Sequence, residues 1–405
     1  MDATSTVGLP RALISRDSLL HNVKIIRRAL SPSTKICAML KADAYGHGAK
    51  VVADTLSNFS FEGQEAPAVD ALAVATLDEA WALGPVPIPI HVLRPVENVY
   101  IGRERQRLEM ASREGWILTI GSMEAAGDLA RIAMSCEKRL AVQIMIDTGF
   151  GREGMGIDRL DELIKSIESF PSLRLAGLCT HFASAEEPGN LLTADQLRRF
   201  KSATDSHAAR ISKLIRHAAN SAAVFFSPQS HLDMVRPGIS IYGIDPRGLP
   251  SMDRTLRPVM KWIAPLLLIR DVKKGIGIGY GQTWTSNRDT RIGLVPVGYG
   301  DGYLRNFSNR GKMIIHGRAV SVVGRVSMDY TMIDVGDVPT ARVGDEVIVL
   351  DSDPLSPASV YALAEWGATI GYEILCRIGQ RIPRVAIEPA ENERGIIPFA
   401  GGQVA

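Results

Sequence analysis

The sequence predicts an α/β protein, a (β/α)8 TIM-type barrel followed by a second, mainly β C-terminal domain. Three observations predict this architecture. The chain has 405 residues, more than one typical domain contains. Its first part alternates short apolar runs with longer amphipathic segments at spacings of roughly 20 to 40 residues, which is typical of repeated βα units. Its last part is a series of β-branched stretches separated by glycine-containing turns.

The elements follow in chain order. A short strand is predicted at 11–15, and the helical spacing of apolar residues predicts a helix at 16–29. Eight apolar runs are the candidate barrel strands: 36–40, 71–75, 88–93, 116–120, 141–146, 173–179, 217–220 and 233–236. The last two runs are weak as strands, and an open doubly wound sheet is the alternative architecture for the same pattern.

A linker rich in proline, glycine and charge, DPRGLPSMDRTLRP, separates the two parts. The β-branched stretches beyond it lie at 262–269, 291–297, 319–323, 330–335 and 346–350, with one helix near 359–366. We therefore assign 12–245 to the barrel, 255–390 to the mainly β domain and 391–405 to a C-terminal tail.

Composition restricts the class of protein. The 46 basic and 44 acidic residues leave a net charge of +2, which gives no sign of a nucleic-acid partner. The four cysteines lie far apart without a CxxC pair, so buried thiols are expected rather than disulfides, and no histidine spacing suggests a metal. The N-terminus lacks the apolar core of a signal peptide, and no apolar run reaches about 18 residues. We expect a cytoplasmic protein without membrane contact.

Polar residues follow the predicted barrel strands at the points where the strands end. A barrel places its chemistry at the carboxyl ends of its strands, so these residues are the candidates for a functional site. They are Lys41, Arg152, His181, Asn220, Ser221 and Arg236.

The stretch LKADAYGHG contains the most informative of these residues. Lys41 is either a solvated charge at the end of a strand or a Schiff-base lysine that attacks a carbonyl from a pocket. Tyr45 and the glycines that follow it form a turn opening a helix, where a hydroxyl and backbone amides can hold a phosphate. A lysine beside a phosphate site suggests pyridoxal phosphate.

The stretch KADAYGHG resembles the cofactor-lysine motif of the alanine racemases. Later stretches resemble the same family and occur in the family's order: IDTGFGREGMG, THFASAE, HAANSAA, VRPGISIYG, IGYGQTW, PVGYGDGYLR, GRVSMDY and YEILCRIGQRIPR. The resemblance implies that pyridoxal 5'-phosphate is held on Lys41 and that Lys41 and Tyr280 are the two catalytic bases. It also implies that residues 1–11 join the mainly β domain.

The resemblance implies further roles for single residues. Arg236 faces the pyridine nitrogen as a donor that keeps its proton, and His181 and Arg236 form a network near Tyr280. Met328 and Asp329 belong to the segment that meets the substrate carboxylate. Arg152 approaches the cofactor's phenolic oxygen and also binds the substrate. The remaining cofactor contacts, mainly to the phosphate, are Tyr45, Asn220, Ser221, Gly238, Ile239 and Tyr372.

Two of these assignments have plain structural alternatives. Ser221 could be a helix N-cap, alone or in addition to its phosphate role, because it stands at a strand-helix junction. Tyr372 could be an ordinary core aromatic residue.

One position departs from the family's pattern. In the family, a carbamylated lysine commonly orients the arginine that corresponds to Arg152, and here that position is Met145. A methionine cannot be carbamylated or carry a charge, so a bound anion or another side chain must orient Arg152.

The resemblance implies an alanine racemase that interconverts L-alanine and D-alanine and supplies D-alanine for peptidoglycan. It also implies a homodimer, in which Tyr280 and Met328 of one subunit complete the site of the other. Three alternatives are a racemase of broader range, acting on serine or a basic amino acid, a non-catalytic pyridoxal phosphate carrier, and a decarboxylase of related architecture. The sequence does not give the substrate range.

Overall fold

A computed structural model describes residues 8–61, 66–96, 105–134, 138–207, 214–250, 255–387 and 396–398. The chain divides into two compact units. One contains residues 23–44, 52–241 and 394–405, and the other contains residues 1–22, 45–51 and 242–393.

The first unit is a closed barrel of eight parallel strands. In chain order these are Lys35–Met39, Ala71–Val74, Ile90–Val92, Ile117–Ile120, Leu140–Asp147, Leu173–Cys179, Ile215–His217 and Met234–Val235. The eighth strand pairs with the first, and the fourth pairs with the fifth, so the sheet has no open edge. Closure confirms the predicted barrel and excludes the open doubly wound sheet.

The seventh strand lies two residues before the predicted run at 217–220. It includes the charged residue Arg216, so the strand does not form an apolar run in the sequence. The Arg216 guanidinium is satisfied by ion pairs with Asp205 and Asp233, which allows a charged residue in this short strand. Asn220 therefore lies beyond the strand rather than in it.

Helices connect the barrel strands, as the alternation of the sequence predicts. They are Ala49–Asn58, Leu77–Leu83, Arg105–Glu114, Met123–Ala133, Leu160–Ser169, Leu191–Asp205 and Ser221–Phe226, with 3-10 turns at Ile157–Arg159 and Pro228–Ser230. Two additional strand pairings are Met155–Gly156 with the end of the fifth strand and Phe59–Phe61 with Ile396–Pro398.

The second unit is mainly β, as predicted. Its six-stranded sheet has the order Arg318–Ser321, Lys312–Ile315, Glu346–Leu350, Met260–Pro265, Arg11–Ser15 and Arg384–Ile387. A three-stranded sheet has the order Leu268–Val272, Thr290–Val295 and Thr331–Asp334. A hairpin pairs Gly277–Ile278 with Trp284–Thr285. The helical elements are Val360–Gly367, Gly371–Cys376, Tyr280–Gln282, Tyr299–Asp301 and Arg305–Phe307, and the helix Arg16–Arg28 follows the strand Arg11–Ser15 in the chain.

The sequence explains why these elements form. The barrel strands are buried along almost their whole length, so they read as continuous apolar runs rather than as an alternation. The core of the second unit includes Trp262, Tyr303 and Phe307, which pack edge to face. Within the described ranges, no helix is long and apolar enough to cross a membrane.

Candidate active site

The first barrel strand ends at Met39, and an unusual turn begins at Lys41, two residues later. Ala42, Asp43, Ala44 and Tyr45 all have φ angles between +52° and +55°, in the left-handed region. Such a conformation costs roughly 1–2 kcal/mol for each residue that carries a Cβ. Strain of this kind persists only where neighbouring groups enforce it, and it is concentrated at functional sites. The Lys41 side chain is exposed at the start of this turn.

Glu79 is one of the groups that enforce the turn. Its carboxylate accepts a hydrogen bond from the Ala42 backbone N–H on Oε1 (2.8 Å) and from the Ala75 N–H on Oε2 (2.6 Å). Glu79 also completes a capping box with Thr76 at the start of the helix Leu77–Leu83. One carboxylate therefore fixes both a helix N-terminus and the backbone directly after Lys41.

A buried cation lies at the carboxyl end of the eighth strand. The Arg236 guanidinium is 4% exposed and donates hydrogen bonds to the Thr180 carbonyl (2.8 Å), to His217 Nδ1 (2.6 Å) and to His181 Nδ1 (3.2 Å). Each of these partners is electrically neutral when it accepts. A buried charge without an opposite charge is costly, so this arrangement favours an electron-rich or anionic ligand at the same place.

Three of the predicted site residues are cations that lower the pKa of His181. Burial, followed by the positive charges of Arg236, Arg152 and Lys41, lowers the pKa of His181 to about 3. His181 is therefore neutral at physiological pH. The structure thus brings Lys41, Arg152 and Arg236 within electrostatic reach of His181 in the barrel unit.

Ser221 and Gly238 meet between the seventh and eighth strands. The Gly238 N–H donates to Ser221 Oγ (2.8 Å), and the Ser240 N–H and hydroxyl lie 3.3 Å and 3.0 Å from the same oxygen. Ile239 is buried between them in the chain. These hydroxyl and amide donors form a set of the kind that binds phosphate oxygens.

The helix cap at this junction corrects one sequence prediction. Asn220 is the N-cap of the helix Ser221–Phe226, and its side chain accepts from the Ala223 N–H (3.0 Å). Ser221 is the first helical residue and does not act as the cap. The reason is that Asn220 has the extended backbone that a cap needs, which leaves the Ser221 hydroxyl for Gly238 and Ser240.

Arg152 is oriented by its own neighbours. It makes a two-point ion pair with Glu153, with Nε–Oε2 and Nη2–Oε1 distances of 3.0 Å and 2.9 Å, and its Cζ lies 4.2 Å from the centre of the Phe150 ring. Met145 is buried, and its sulfur lies 3.8 Å from Cys179 Sγ. Of the two possibilities left by the sequence, the structure therefore supplies another side chain, Glu153.

The loop that carries Arg152 is shaped by a carboxylate. Asp147 Oδ1 accepts hydrogen bonds from the N–H groups of Gly149 (2.9 Å), Phe150 (2.9 Å) and Gly151 (3.2 Å). Although burial acts to raise the pKa of Asp147, these hydrogen bonds lower it below its usual value. This turn delivers Arg152 to a small pocket that Met145, Thr180 and His181 also line.

Two predicted phosphate ligands lie in the second unit. Tyr45 and Tyr372 are neighbours there, with ring centroids 6.1 Å apart, and Tyr45 also packs against Tyr242 at 5.0 Å. Burial, followed by the proximity of Tyr372, raises the pKa of Tyr45 far above its ordinary value, so its hydroxyl is neutral. Gly46 has a φ of +79°, and a Cβ there would collide with the Leu375 carbonyl, so the turn after Tyr45 requires glycine.

The other predicted residues of this unit lie at its surface. Tyr280 is 70% exposed and Met328 is 54% exposed. Asp329 is also exposed, and its carboxylate accepts a hydrogen bond from Arg381 Nη1 (2.9 Å). An aromatic side chain as exposed as that of Tyr280 is available to a second molecule.

A set of buried, hydrogen-bonded polar side chains in the barrel interior was not predicted from the sequence. Thr119, Gln143 and His217 connect through side-chain hydrogen bonds to Arg236, and His91 joins them at Gln143. The sequence feature that could have predicted these residues is a polar residue inside a mainly apolar strand, as in IHV, ILTI and AVQIMID. Among the described residues, no cluster of histidine, cysteine, aspartate or glutamate is suited to a metal ion.

Comparison with known protein families covers most of the chain. Residues 14–246 match the model described as alanine racemase, N-terminal domain, and residues 259–386 match alanine racemase, C-terminal domain. An alanine racemase of Halothermothrix orenii is 37% identical over 376 residues, covering 92% of this chain and 95% of that protein. One of Chlorobaculum tepidum is 35% identical over 383 residues, covering 94% and 96% respectively.

Solved structures give the same result. The alanine racemase of Clostridium difficile 630 matches with a TM-score of 0.84 at 33% identity, covering 97% of this chain and 99% of that chain. The Bartonella henselae alanine racemase with covalently bound pyridoxal phosphate matches with a TM-score of 0.78 at 26% identity, covering 94% and 99%. The sequence resemblance is confirmed: the chain belongs to the alanine racemase family and is an amino-acid racemase, an isomerase.

Proposed function

We propose that this chain uses pyridoxal 5'-phosphate to interconvert L-alanine and D-alanine, and that it supplies D-alanine for peptidoglycan. The observation that carries the proposal is the set of cations at the carboxyl end of the barrel, where Lys41, Arg152 and Arg236 all act on the neutral His181. An amino acid and a phosphate-bearing cofactor both bring negative charge, which such a site favours.

The residues present fit this cofactor. The buried Arg236 guanidinium has neutral partners, and the Ser221 hydroxyl accepts a hydrogen bond from the Gly238 amide. The exposed Lys41 follows the first strand at its carboxyl end. When bound, pyridoxal phosphate withdraws electrons from the α-carbon of an amino acid and so makes its α-proton acidic.

Lys41 and Tyr280 are the proposed bases of the reaction. The Lys41 amine would hold the cofactor, and as a free amine during turnover it would take or return the α-proton on one face of the substrate. The Tyr280 hydroxyl, contributed by a second copy of the chain, does the same on the opposite face. Since each face has its own base, the configuration at the α-carbon is inverted.

The remaining residues bind and orient. Arg236 would donate toward the ring nitrogen of the bound cofactor, and because a guanidinium does not surrender its proton, that nitrogen would stay unprotonated. Ser221, Gly238 and Ile239, with Tyr45 and Tyr372, are the proposed phosphate ligands, and Asn220 keeps Ser221 in place as the helix cap. Arg152, Met328 and Asp329 are proposed to meet the substrate.

The proposal includes a homodimer in the cytoplasm. The exposure of Tyr280 and Met328 supports the dimer, because both are proposed to act in the site of the other subunit.

The test follows proton exchange at the α-carbon. Purified enzyme loaded with cofactor is incubated with L-alanine in heavy water, loss of the α-proton is followed by NMR, and D-alanine is measured on a chiral column. We expect deuterated D-alanine from the wild type, no activity from Lys41→Ala, and a fall of about 10²- to 10⁴-fold in L-to-D conversion for Tyr280→Phe.

Two matched variants are the controls. Lys50→Ala removes another exposed lysine, and Tyr330→Phe removes the hydroxyl of another exposed tyrosine of the same unit. Both are expected to retain wild-type rates. A wild-type enzyme that binds the cofactor but neither exchanges nor inverts alanine contradicts the proposal; serine, basic amino acids and release of carbon dioxide are then assayed.

A further inference from the structure

Four polar side chains lie inside the barrel, where apolar residues would normally be. His91, Thr119, Gln143 and His217 belong to four different strands, and none is more than 3% exposed. Branched apolar residues dominate the interiors of such barrels, and a buried polar group that lacks a partner is costly. The energetic cost of burying these four side chains therefore depends on their hydrogen bonds. The same hydrogen bonds determine the role of the four residues.

The direction of the first two hydrogen bonds is fixed by chemistry. The Thr119 hydroxyl lies 2.7 Å from the Val92 carbonyl oxygen, which can only accept, so the hydroxyl donates there. Thr119 Oγ1 is then an acceptor for Gln143 Nε2 at 2.8 Å. Thr119 thus determines which end of the Gln143 amide points toward it, and the Gln143 oxygen must point the other way.

The Gln143 oxygen in turn meets two histidines. Gln143 Oε1 lies 3.0 Å from His91 Nδ1 and 3.0 Å from His217 Nε2, so both ring nitrogens must carry hydrogen. The second nitrogen of His217, Nδ1, lies 2.6 Å from Arg236 Nη1. Since a guanidinium can only donate, Nδ1 carries no hydrogen.

One form of His217 satisfies both neighbours, the neutral ring with hydrogen on Nε2. Burial, followed by the charges of Arg236 and His91, lowers the pKa of His217 well below its ordinary value, in agreement with a neutral ring. A doubly protonated ring would direct an N–H at Arg236 and break the 2.6 Å hydrogen bond. The Gln143 amide accepts the hydrogen bond from His217 Nε2 but has no charge that would stabilise a doubly protonated His217 ring. A carboxylate at the same place would stabilise that ring.

We propose that Gln143, oriented by Thr119, is a positioning residue that keeps His217 neutral with its Nδ1 free to accept, and so fixes the Arg236 guanidinium in the active site. The functional consequence rests on the proposed role of Arg236 toward the cofactor. The protonation form of His217 is a property of the chain itself and is measurable without the cofactor.

The test compares two variants that alter the chain of hydrogen bonds. Gln143→Glu keeps an acceptor oxygen near both histidines and adds a negative charge. Thr119→Val keeps the shape of the side chain and removes the hydroxyl that orients Gln143. Thr119→Ser is the conservative partner that retains the hydroxyl, and Thr204→Val is the control, because Thr204 is a buried threonine whose hydroxyl bonds only locally, to the Lys201 carbonyl.

The first readout is nitrogen-15 NMR of protein labelled at histidine, with His217 assigned by its absence from His217→Asn. We expect the wild type, in the cofactor-free and loaded forms, to show His217 protonated on Nε2 alone. Gln143→Glu is expected to protonate both nitrogens at neutral pH. Thr119→Val is expected to shift the Nε2 signal, and Thr119→Ser and Thr204→Val to leave it unchanged.

The second readout is kinetic. Mutation of residues that support a site typically lowers activity by about 10- to 100-fold, so Gln143→Glu and Thr119→Val should lower kcat by this amount. Both variants should still bind the cofactor. The kcat of Thr119→Ser should be close to that of the wild type. The inference is overturned if His217 is already doubly protonated in the wild type. It is also overturned if Thr119→Val loses only thermal stability, as Thr204→Val does, with kcat and the His217 signal unchanged.

These outcomes separate the inference from the proposed function. If the wild type fails to racemise alanine, the proposed function fails, yet the NMR of the cofactor-free chain still decides the form of His217. If the wild type racemises alanine and Gln143→Glu leaves both His217 and kcat unchanged, the inference alone fails.

Discussion

Arg152 is paired with Glu153, which takes the place of the partner that is common in the family. The family commonly orients this arginine with a carbamylated lysine, and Met145 at that position can offer only packing against Cys179. Here Glu153 supplies the negative charge and Phe150 supplies an aromatic face. Because both lie on the same loop as Arg152, the arrangement is local and needs no modification of a side chain.

His91 gives a prediction for the dependence of stability on pH. Burial is the main cause that lowers the pKa of His91 to about 4; the hydrogen bond to Gln143 opposes it, and the Arg236 charge acts in the same direction as burial. The ordinary value of the unfolded chain is about 6.5, so below that pH the unfolded state binds a proton that the folded state does not. The stabilisation is complete above pH 6.5 and is lost as the pH falls toward 4.

The measurable consequence is a change in slope. Between pH 7 and pH 5, His91 is expected to account for a loss of about 2 kcal/mol in the free energy of unfolding. Urea unfolding of wild type and His91→Leu at both pH values checks this, and His91→Leu should lose less stability than wild type over the interval. Identical losses in the two proteins would show that His91 does not titrate in this way.

At the scale of the element, the turn from Ala42 to Tyr45 is the most strained segment near the site. Its residues carry Cβ atoms in a left-handed conformation, and the Glu79 carboxylate holds its first amide. The turn ends the first strand abruptly and leaves Lys41 at the barrel's edge. Its glycine-free sequence, ADAY, gave no sign of this conformation, which is why the sequence predicted only an ordinary turn.

Replacement of Ala42 by glycine tests this strain. Ala42 is exposed with a φ of +54°, so Ala42→Gly removes the steric cost of the Cβ and is expected to stabilise the protein by about 0.5–1 kcal/mol after the entropy of glycine is subtracted. Ala82, exposed in the helix Leu77–Leu83, is the control, and Ala82→Gly should destabilise by about 1 kcal/mol. Thermal unfolding of both variants measures the sign of each change in stability. Equal destabilisation of the two variants would show that the turn is not strained.

At the scale of the whole molecule, the proposed site residues are divided between two compact units. Lys41, Arg152, His181 and Arg236 belong to the barrel, whereas Tyr280 and Met328 belong to the mainly β unit. The exposure of Tyr280 is consistent with the proposed use of this residue by a second copy of the chain. A site shared between two subunits makes a specific prediction for mixed dimers.

As homodimers, Lys41→Ala is expected to be inactive and Tyr280→Phe to have activity lowered by about 10²- to 10⁴-fold. A heterodimer of the two, purified through a different tag on each chain, contains one site with both defects and one with none, so it should have roughly half of the wild-type activity. Dimer formation itself is checked by analytical ultracentrifugation. If Lys41 and Tyr280 of one chain served the same site, every site of the heterodimer would be defective and it would be inactive.

The sequence by itself determined the family, the fold class and most candidate residues, because these depend on local patterns. Apolar runs at regular spacing predict a barrel, and LKADAYGHG identifies Lys41 from adjacent residues. The tertiary structure alone decided which groups hold those residues in place. Gln143 and His217 are separated by 74 positions, and Glu79 lies 37 positions from Ala42. A hydrogen bond depends on distance and direction in space, and neither is encoded in the local spacing of residue types along the chain.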